Sequence, residues 1–156
     1  MAMAGVPVRR RRWRAVMTTA RLLPSYIAAG VLRHVVSLHR LARWAWRDAR
    51  TGRAGSGDAE EIAAAVTRLG RIVPGDRNCL RRSLVLYREL SARGAGPRLV
   101  VGFRRGDGGL EGHAWVTLAG GVVGDDAAHV ASFTPTCCFG PAGRAESIGP
   151  DQASTV

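Results

Sequence analysis

Three side chains of this 156-residue chain have the types needed for nucleophilic catalysis: Cys79, His113 and Asp125. Cys79 follows the turn Pro74-Gly75-Asp76-Arg77-Asn78 and stands at the start of a predicted helix. A thiol there faces unpaired backbone N–H groups and the positive end of the helix dipole, which favour the thiolate. The same N–H groups can hold an oxyanion formed when the sulfur attacks a carbonyl. His113 begins a predicted strand after a glycine-rich turn. An imidazole on such a strand end can reach a helix terminus, take the thiol proton and later protonate a leaving amine. Asp125 is the candidate to hold the second ring nitrogen. Hairpin register bears on that last assignment. A three-residue loop Ala119-Gly120-Gly121 sets Trp115 opposite Asp125 and puts Asp125 on the His113 face, whereas a two-residue Gly120-Gly121 turn shifts the pairing by one and offers Asp126. Sequence geometry leaves both open. Taken singly, Cys79 also reads as a small buried hydrophobe and His113 as a satisfied or exposed side chain.

These side chains need elements to hold them. Asp58 with Glu61 three residues on makes a capping-box-like start, and Ile62, Val66, Leu69 and Val73 form one apolar stripe at helical period. A second helix is predicted from about Asn78 to Ala92, with Gly94 as its stop. Leu99–Phe103, His113–Leu118 and Val122–Asp125 then read as strands, joined by turns at Gly106–Gly109 and Ala119–Gly121. The order helix, helix, strand, strand, strand predicts an α+β domain with an antiparallel sheet packed on helices. Residues 58–135 would form this core, and residues 136–156, rich in Gly, Pro, Ala and Ser from Pro141 on, a disordered tail.

The charge divides the chain. All 23 basic side chains are arginine; residues 1–57 carry 12 of them against the single acid Asp48, while residues 58–156 carry 11 against 11 acids. Basicity therefore belongs to the N-terminal third, and nucleic-acid binding as the function of the whole molecule is disfavoured. Arg9-Arg10-Arg11-Arg12-Trp13-Arg14 opens this third. Ile27, Val31, Val35, Leu38, Leu41 and Ala45 follow at helical spacing, so residues 1–57 read as a basic amphipathic extension and linker. Pro24 is expected to split it into a short and a longer helix. Such an extension suits docking on a partner or on an anionic membrane surface. Arg21, Pro24 and Arg33 interrupt the apolar segment, which argues against a secretory or twin-arginine signal, and the absence of 18 consecutive apolar residues argues against a standard spanning helix. Three cysteines with no Cys-x-x-Cys spacing suit neither a disulfide framework nor a zinc site.

The segment around the candidate residues resembles a known family. Asn78-Cys79-Leu80-Arg81-Arg82-Ser83-Leu84 matches a Cys-Leu-x-Arg-Ser-Leu signature, and Gly94, the Leu99–Phe103 strand, Gly112-His113-Ala114-Trp115-Val116 and Asp125 follow in the family's order. Over about residues 58–135 the chain is similar to the leader peptidase of lasso-peptide biosynthesis, a transglutaminase-like cysteine protease with a papain-like arrangement. More narrowly, it is similar to the split type, whose leader-recognition domain is a separate chain. The resemblance implies Cys79 as nucleophile, His113 as base and, from the family's His-to-Asp spacing, Asp125 as orienter. It implies cleavage of a ribosomally made precursor at the leader–core junction, without a cofactor. The partners implied are the precursor peptide, a separate leader-recognition protein and an asparagine-synthetase-like macrolactam cyclase that uses ATP. The location implied is cytoplasmic, with peripheral contact at the inner membrane face through residues 1–57 as an option. Where the family often has Glu, this chain has Thr117. Asn78, as a cap or oxyanion contact, Arg82, as a support for the thiolate or the substrate, and Trp115, as a shield for the His–Asp pair, complete the candidate site. Two other functions compete: acyl transfer by the same triad, and nucleic-acid or membrane-surface binding by the N-terminal arginines. Ammonia release without peptide cleavage would mark the former, and steeply salt-dependent affinity that survives loss of Cys79 the latter.

Overall fold

The computed structural model describes residues 8–49, 56–73 and 79–148. Four helices come first: α1 (Val8–Leu32), α2 (Leu38–Ala45), α3 (Ser56–Ile72) and α4 (Cys79–Ala92). They are followed by β1 (Arg98–Gly106), β2 (Gly109–Leu118), β3 (Gly121–Val123), the short helix α5 (Ala127–Ala131), β4 (Thr134–Phe139), a 3₁₀ turn at Pro141–Gly143 and β5 (Ala145–Glu146). The strands form one antiparallel sheet in the order β3-β2-β1-β4-β5. The architecture is α+β, as the order of sequence patterns predicts.

Strand alternation sorts the core into two layers. Leu99, Val116 and Phe139 lie on the face covered by helices, in one cluster with Leu84, Val85, Tyr87 and Leu90 of α4 and Ile62, Val66 and Leu69 of α3. Val100, Trp115 and Cys138 occupy the other face, packed with Val130 of α5 and Phe133. Cys138 is thus a buried packing residue, and Cys137 packs at the edge of the larger cluster.

The N-terminal third is not an appendage to this core. Leu22, Tyr26 and Ala29 of α1 and Leu41, Ala42 and Ala45 of α2 are buried in the same cluster as α3 and α4. The core therefore reaches well before Asp58. Pro24 does not split the helix either, and α1 runs through it to Leu32. A proline removes one helical hydrogen bond, which leaves the Ala20 carbonyl without its usual donor. Both residues lie on the exposed face, where water can take that carbonyl, while Leu22 and Tyr26 hold the inner face down. The break comes instead at residues 33–37.

Residues 136–148, expected to be disordered, are part of the sheet and its flank. Pro135 hides β4 from sequence reading, since proline cannot donate to a ladder. It sits opposite Gly102 at an irregularity between Val101 and Gly102, where a missing N–H costs little. Beyond β4, the buried Tyr87 hydroxyl donates to the Gly140 carbonyl and Arg98 pairs with Glu146 at 2.8 Å. These partners lie 53 and 48 residues apart in sequence, so local composition could not reveal them. Residues 149–156 of the expected tail, and most of the expected linker at 50–57, lie outside the described residues.

Candidate active site

α4 begins at Cys79, so the first N–H groups of the helix have no helical acceptor and face the sulfur's surroundings. Ser83 is one turn further on the same helix face. Its buried hydroxyl donates to the Ala114 carbonyl at 2.8 Å, which fixes α4 against β2 beside His113. The edge of β2 is open there because β3 is only three residues long and stops at Val123, opposite Val116. Ala114 points its N–H and C=O to that edge, two residues beyond the last pair. α4 takes the place of the missing strand: Ser83 occupies the carbonyl, and the Ala114 N–H is directed to the Cys79 sulfur.

Asp125 reaches His113 by a route that neither hairpin register foresaw. The loop is Ala119-Gly120, both residues with positive φ (49° and 84°), and Leu118 pairs with Gly121. Paired backbones with two positive φ angles match the strand twist of a primed turn. Extended further, that register would set Asp125 opposite Ala114. Gly124, at φ 73°, turns the chain out of the strand instead. A Cβ there would also press on Ala63 at 3.0 Å and Leu86 at 3.1 Å. The turn delivers Asp125 Oδ2 to His113 Nε2 at 2.8 Å. Its other oxygen accepts the Asp126 backbone N–H at 2.9 Å. Asp126 itself caps α5, accepting from the Ala128 N–H at 3.0 Å. The two neighbouring aspartates thus have separate tasks.

With Nε2 held by Asp125, Nδ1 is the ring nitrogen left for Cys79, and the two side chains are hydrogen-bonded. Burial pushes the Cys79 thiol up, but His113, the Ala114 and Leu80 N–H groups together outweigh it and the thiol is lowered from its ordinary value. His113 is pushed up to about 9 by the hydrogen bond to Asp125 first and that to Cys79 second, against burial. Burial also raises Asp125, yet His113, the Asp126 N–H and the charge of Arg82 bring its carboxyl below the usual range. All three shifts favour a thiolate–imidazolium–carboxylate chain.

Aromatic rings fix the imidazole. Trp115 stacks against it at 6.0 Å between centroids and Phe133 at 4.9 Å, while His129 meets it edge-on at 4.9 Å. Gly102 lies directly opposite His113 in the sheet. A Cβ there would strike the Thr134 carbonyl oxygen at 2.6 Å and Trp115 Cη2 at 2.8 Å. Gly102→Ala should therefore cost about 1–3 kcal/mol by overpacking. That is a fall in melting temperature of roughly 2–12 °C. A melting temperature unchanged within error would show that Trp115 does not need this space.

Of the other candidate residues, Arg82 acts on Asp125 by charge, and Trp115 is buried against the ring that Asp125 holds. Asn78 lies outside the described residues. Arg81 stacks over Tyr26 at 4.1 Å and donates to the Tyr26 carbonyl at 2.7 Å, so it joins α4 to α1. Thr117 is buried. Sequence reading assigns no role in the site to Ser83, His129 or Phe133. Ser83 had a signal, its spacing of four from Cys79; His129 and Phe133 are brought to the site only by α5.

A family model of the transglutaminase-like superfamily matches residues 20–138. The chain belongs to the transglutaminase-like superfamily. The match begins within α1 and ends in β4, the span over which the core is continuous. This superfamily includes cysteine proteases and transglutaminases, which attack an amide carbonyl through a cysteine thiolate. No curated protein and no solved structure matches the chain.

Proposed function

We propose that this transglutaminase-like protein is a cysteine peptidase that removes the leader from a ribosomally made lasso-peptide precursor. The observation that carries the reading is His113 held between Cys79 and Asp125, with Nε2 to Oδ2 at 2.8 Å. The ordered signature from Asn78 to Asp125 supports the narrower substrate class.

In this mechanism the Cys79 thiolate attacks the carbonyl at the leader–core junction. N–H groups at the start of α4 face the oxyanion that forms. Imidazolium His113, already protonated in the ion pair, gives its Nδ1 proton to the leaving amine and frees the core's α-amine. Neutral His113 then takes a proton from water as the thioester is hydrolysed. Asp125 keeps the ring oriented and stabilises its charged form throughout. No cofactor enters these steps. A separate recognition protein would hold the leader, and a separate ATP-using cyclase would join the freed amine to an Asp or Glu side chain.

The test is mass spectrometry of a precursor incubated with this chain and the leader-recognition protein. Separate leader and core fragments, cut at one bond, are expected. An intact precursor that loses ammonia or exchanges an amide would favour acyl transfer by the same three residues.

The ionisation states set a pH profile. The active pair needs Cys79 deprotonated and His113 protonated, so kcat/KM should fall on the acid side as the thiol, lowered from its ordinary value, takes its proton. On the alkaline side it should fall near pH 9, as the imidazolium loses the proton owed to the leaving amine. The same shift acts on the fold. His113 binds its proton more tightly folded than unfolded, so its stabilisation is complete below about pH 6.5 and is lost as pH rises through about 9. A rate that climbs steadily past pH 10 would remove His113 from the role of acid.

A further inference from the structure

The outer face of α1 takes no part in the site described above, yet it exposes large apolar side chains along much of its length. Trp13, Val16, Met17, Leu23, Ile27 and Val31 fall on one face of it, and each is exposed. Trp13, Val16 and Val31 are 60% exposed or more. No charge interrupts the stripe over these 19 positions, because Arg14 and Arg21 lie on its border. Monomeric proteins seldom show so long an apolar strip to water, and such strips mark interaction surfaces. The segment Trp13–Leu32 is long and apolar enough by length and composition to cross a membrane. Its inner face, however, carries Leu22, Tyr26 and Ala29, which are packed into the core.

Charge selects the occupant. Arg9, Arg10, Arg11 and Arg12 occupy the first turns of the same helix. Beside Met17, one turn on, Arg21 borders a cavity of about 540 Å³ that Arg47 and Arg88 also line. Arg88 is 8% exposed, stacked over Trp44 at 4.5 Å, and bound to the Trp44 carbonyl. The one carboxylate lining this cavity, Glu89, is paired with Arg93 at 2.8 Å and also acts on Arg88 by charge, so Arg21, Arg47, Arg88 and Arg93 share one acid there. Buried guanidinium groups are ordinarily compensated by an anion, and their planar forks fit phosphate oxygens. An apolar strip bordered by arginine forks matches the acyl boundary and the phosphates of an anionic bilayer.

We propose that α1 lays its outer face on an anionic lipid surface, with Arg21, Arg47 and Arg88 receiving headgroup phosphates. Apolar side chains enter the acyl boundary while the inner face stays in the core. Arg88 lies nine residues after Cys79, about 13 Å along α4, so docking there leaves the sulfur accessible. The proposal does not depend on what Cys79 cuts.

The test is sedimentation of the full chain with vesicles of phosphatidylcholine alone or mixed with phosphatidylglycerol. Binding to the mixed vesicles only, weakening by about tenfold or more as salt is raised, is expected. The exposed-face variant Val16→Glu/Ile27→Glu and, separately, Arg21→Gln/Arg47→Gln should each weaken it by about tenfold or more, with melting temperatures close to that of the parent. Equal binding to both vesicles, or none, overturns the proposal. So does loss of self-association in the Val16→Glu/Ile27→Glu variant without any vesicle binding, which would make this face an interface between copies. Resistance of the bound chain to alkaline carbonate extraction also overturns it, in favour of a spanning segment.

Discussion

Cys79→Ala is expected to abolish cleavage of the precursor, a loss of about 10⁴-fold or more, because no other group can form the acyl intermediate. The chain should nevertheless fold. Cys79 is only partly buried, at the first position of α4, and alanine is the best helix former. What disappears is a charge pair, so His113 should lose part of the support that raises it to about 9. Two measurements separate catalysis from structure: precursor cleavage followed by mass spectrometry, and the thermal melt of the same sample. Iodoacetamide gives a third reading on the parent, since a thiol lowered from its ordinary value is alkylated more readily, and that label should be lost in Cys79→Ala. Cleavage retained in Cys79→Ala would end the peptidase reading.

Asp125→Asn should lower kcat/KM by on the order of 10²-fold or more, with the neighbouring Asp126→Asn within a few-fold of the parent. Asp125 is the first cause of the raised His113 value, and the amide that replaces it carries no charge and can present the wrong group to Nε2. The alkaline limb of the pH profile should then move below 9, because the imidazolium gives up its proton more readily. Asp126 accepts from the Ala128 N–H as a helix cap, and asparagine serves in that position as well as aspartate does. The contrast between the two variants is the useful result. Equal losses in both would mean that this turn matters for α5 packing and not for the imidazole. The limb should not shift in a variant that only loosens the fold.

The hairpin shows how far sequence reading carried. Composition located the turn between β2 and β3, but two candidate loops gave two candidate aspartates, and the loop formed is a third one, Ala119-Gly120. Asp125 is selected by the positive φ of Gly124, which depends on Ala63 of α3 and Leu86 of α4 lying close against it. The tail misled for a similar reason. Gly, Pro, Ala and Ser after residue 140 carry no local preference for a strand, and order comes from Tyr87 and Arg98 far back in the chain. In the N-terminal third, the helical period read from Ile27 to Ala45 runs across residues 33–37, where the chain instead breaks between α1 and α2. The register of α1 against the core was not legible, because its outer face is as apolar as its inner one.

Local patterns alone therefore determined the α+β class, Cys79 and His113 as the pair competent for thiolate chemistry, and the concentration of charge before Asp58. They follow from residue type, helical or alternating period, and turn composition, all of which are short-range. Tertiary structure decided which aspartate meets His113, that α1 and α2 belong to the core, and that β4 and β5 complete the sheet. Those outcomes rest on contacts between segments dozens of residues apart, and the burial that drives them depends on shape and on which surfaces remain available.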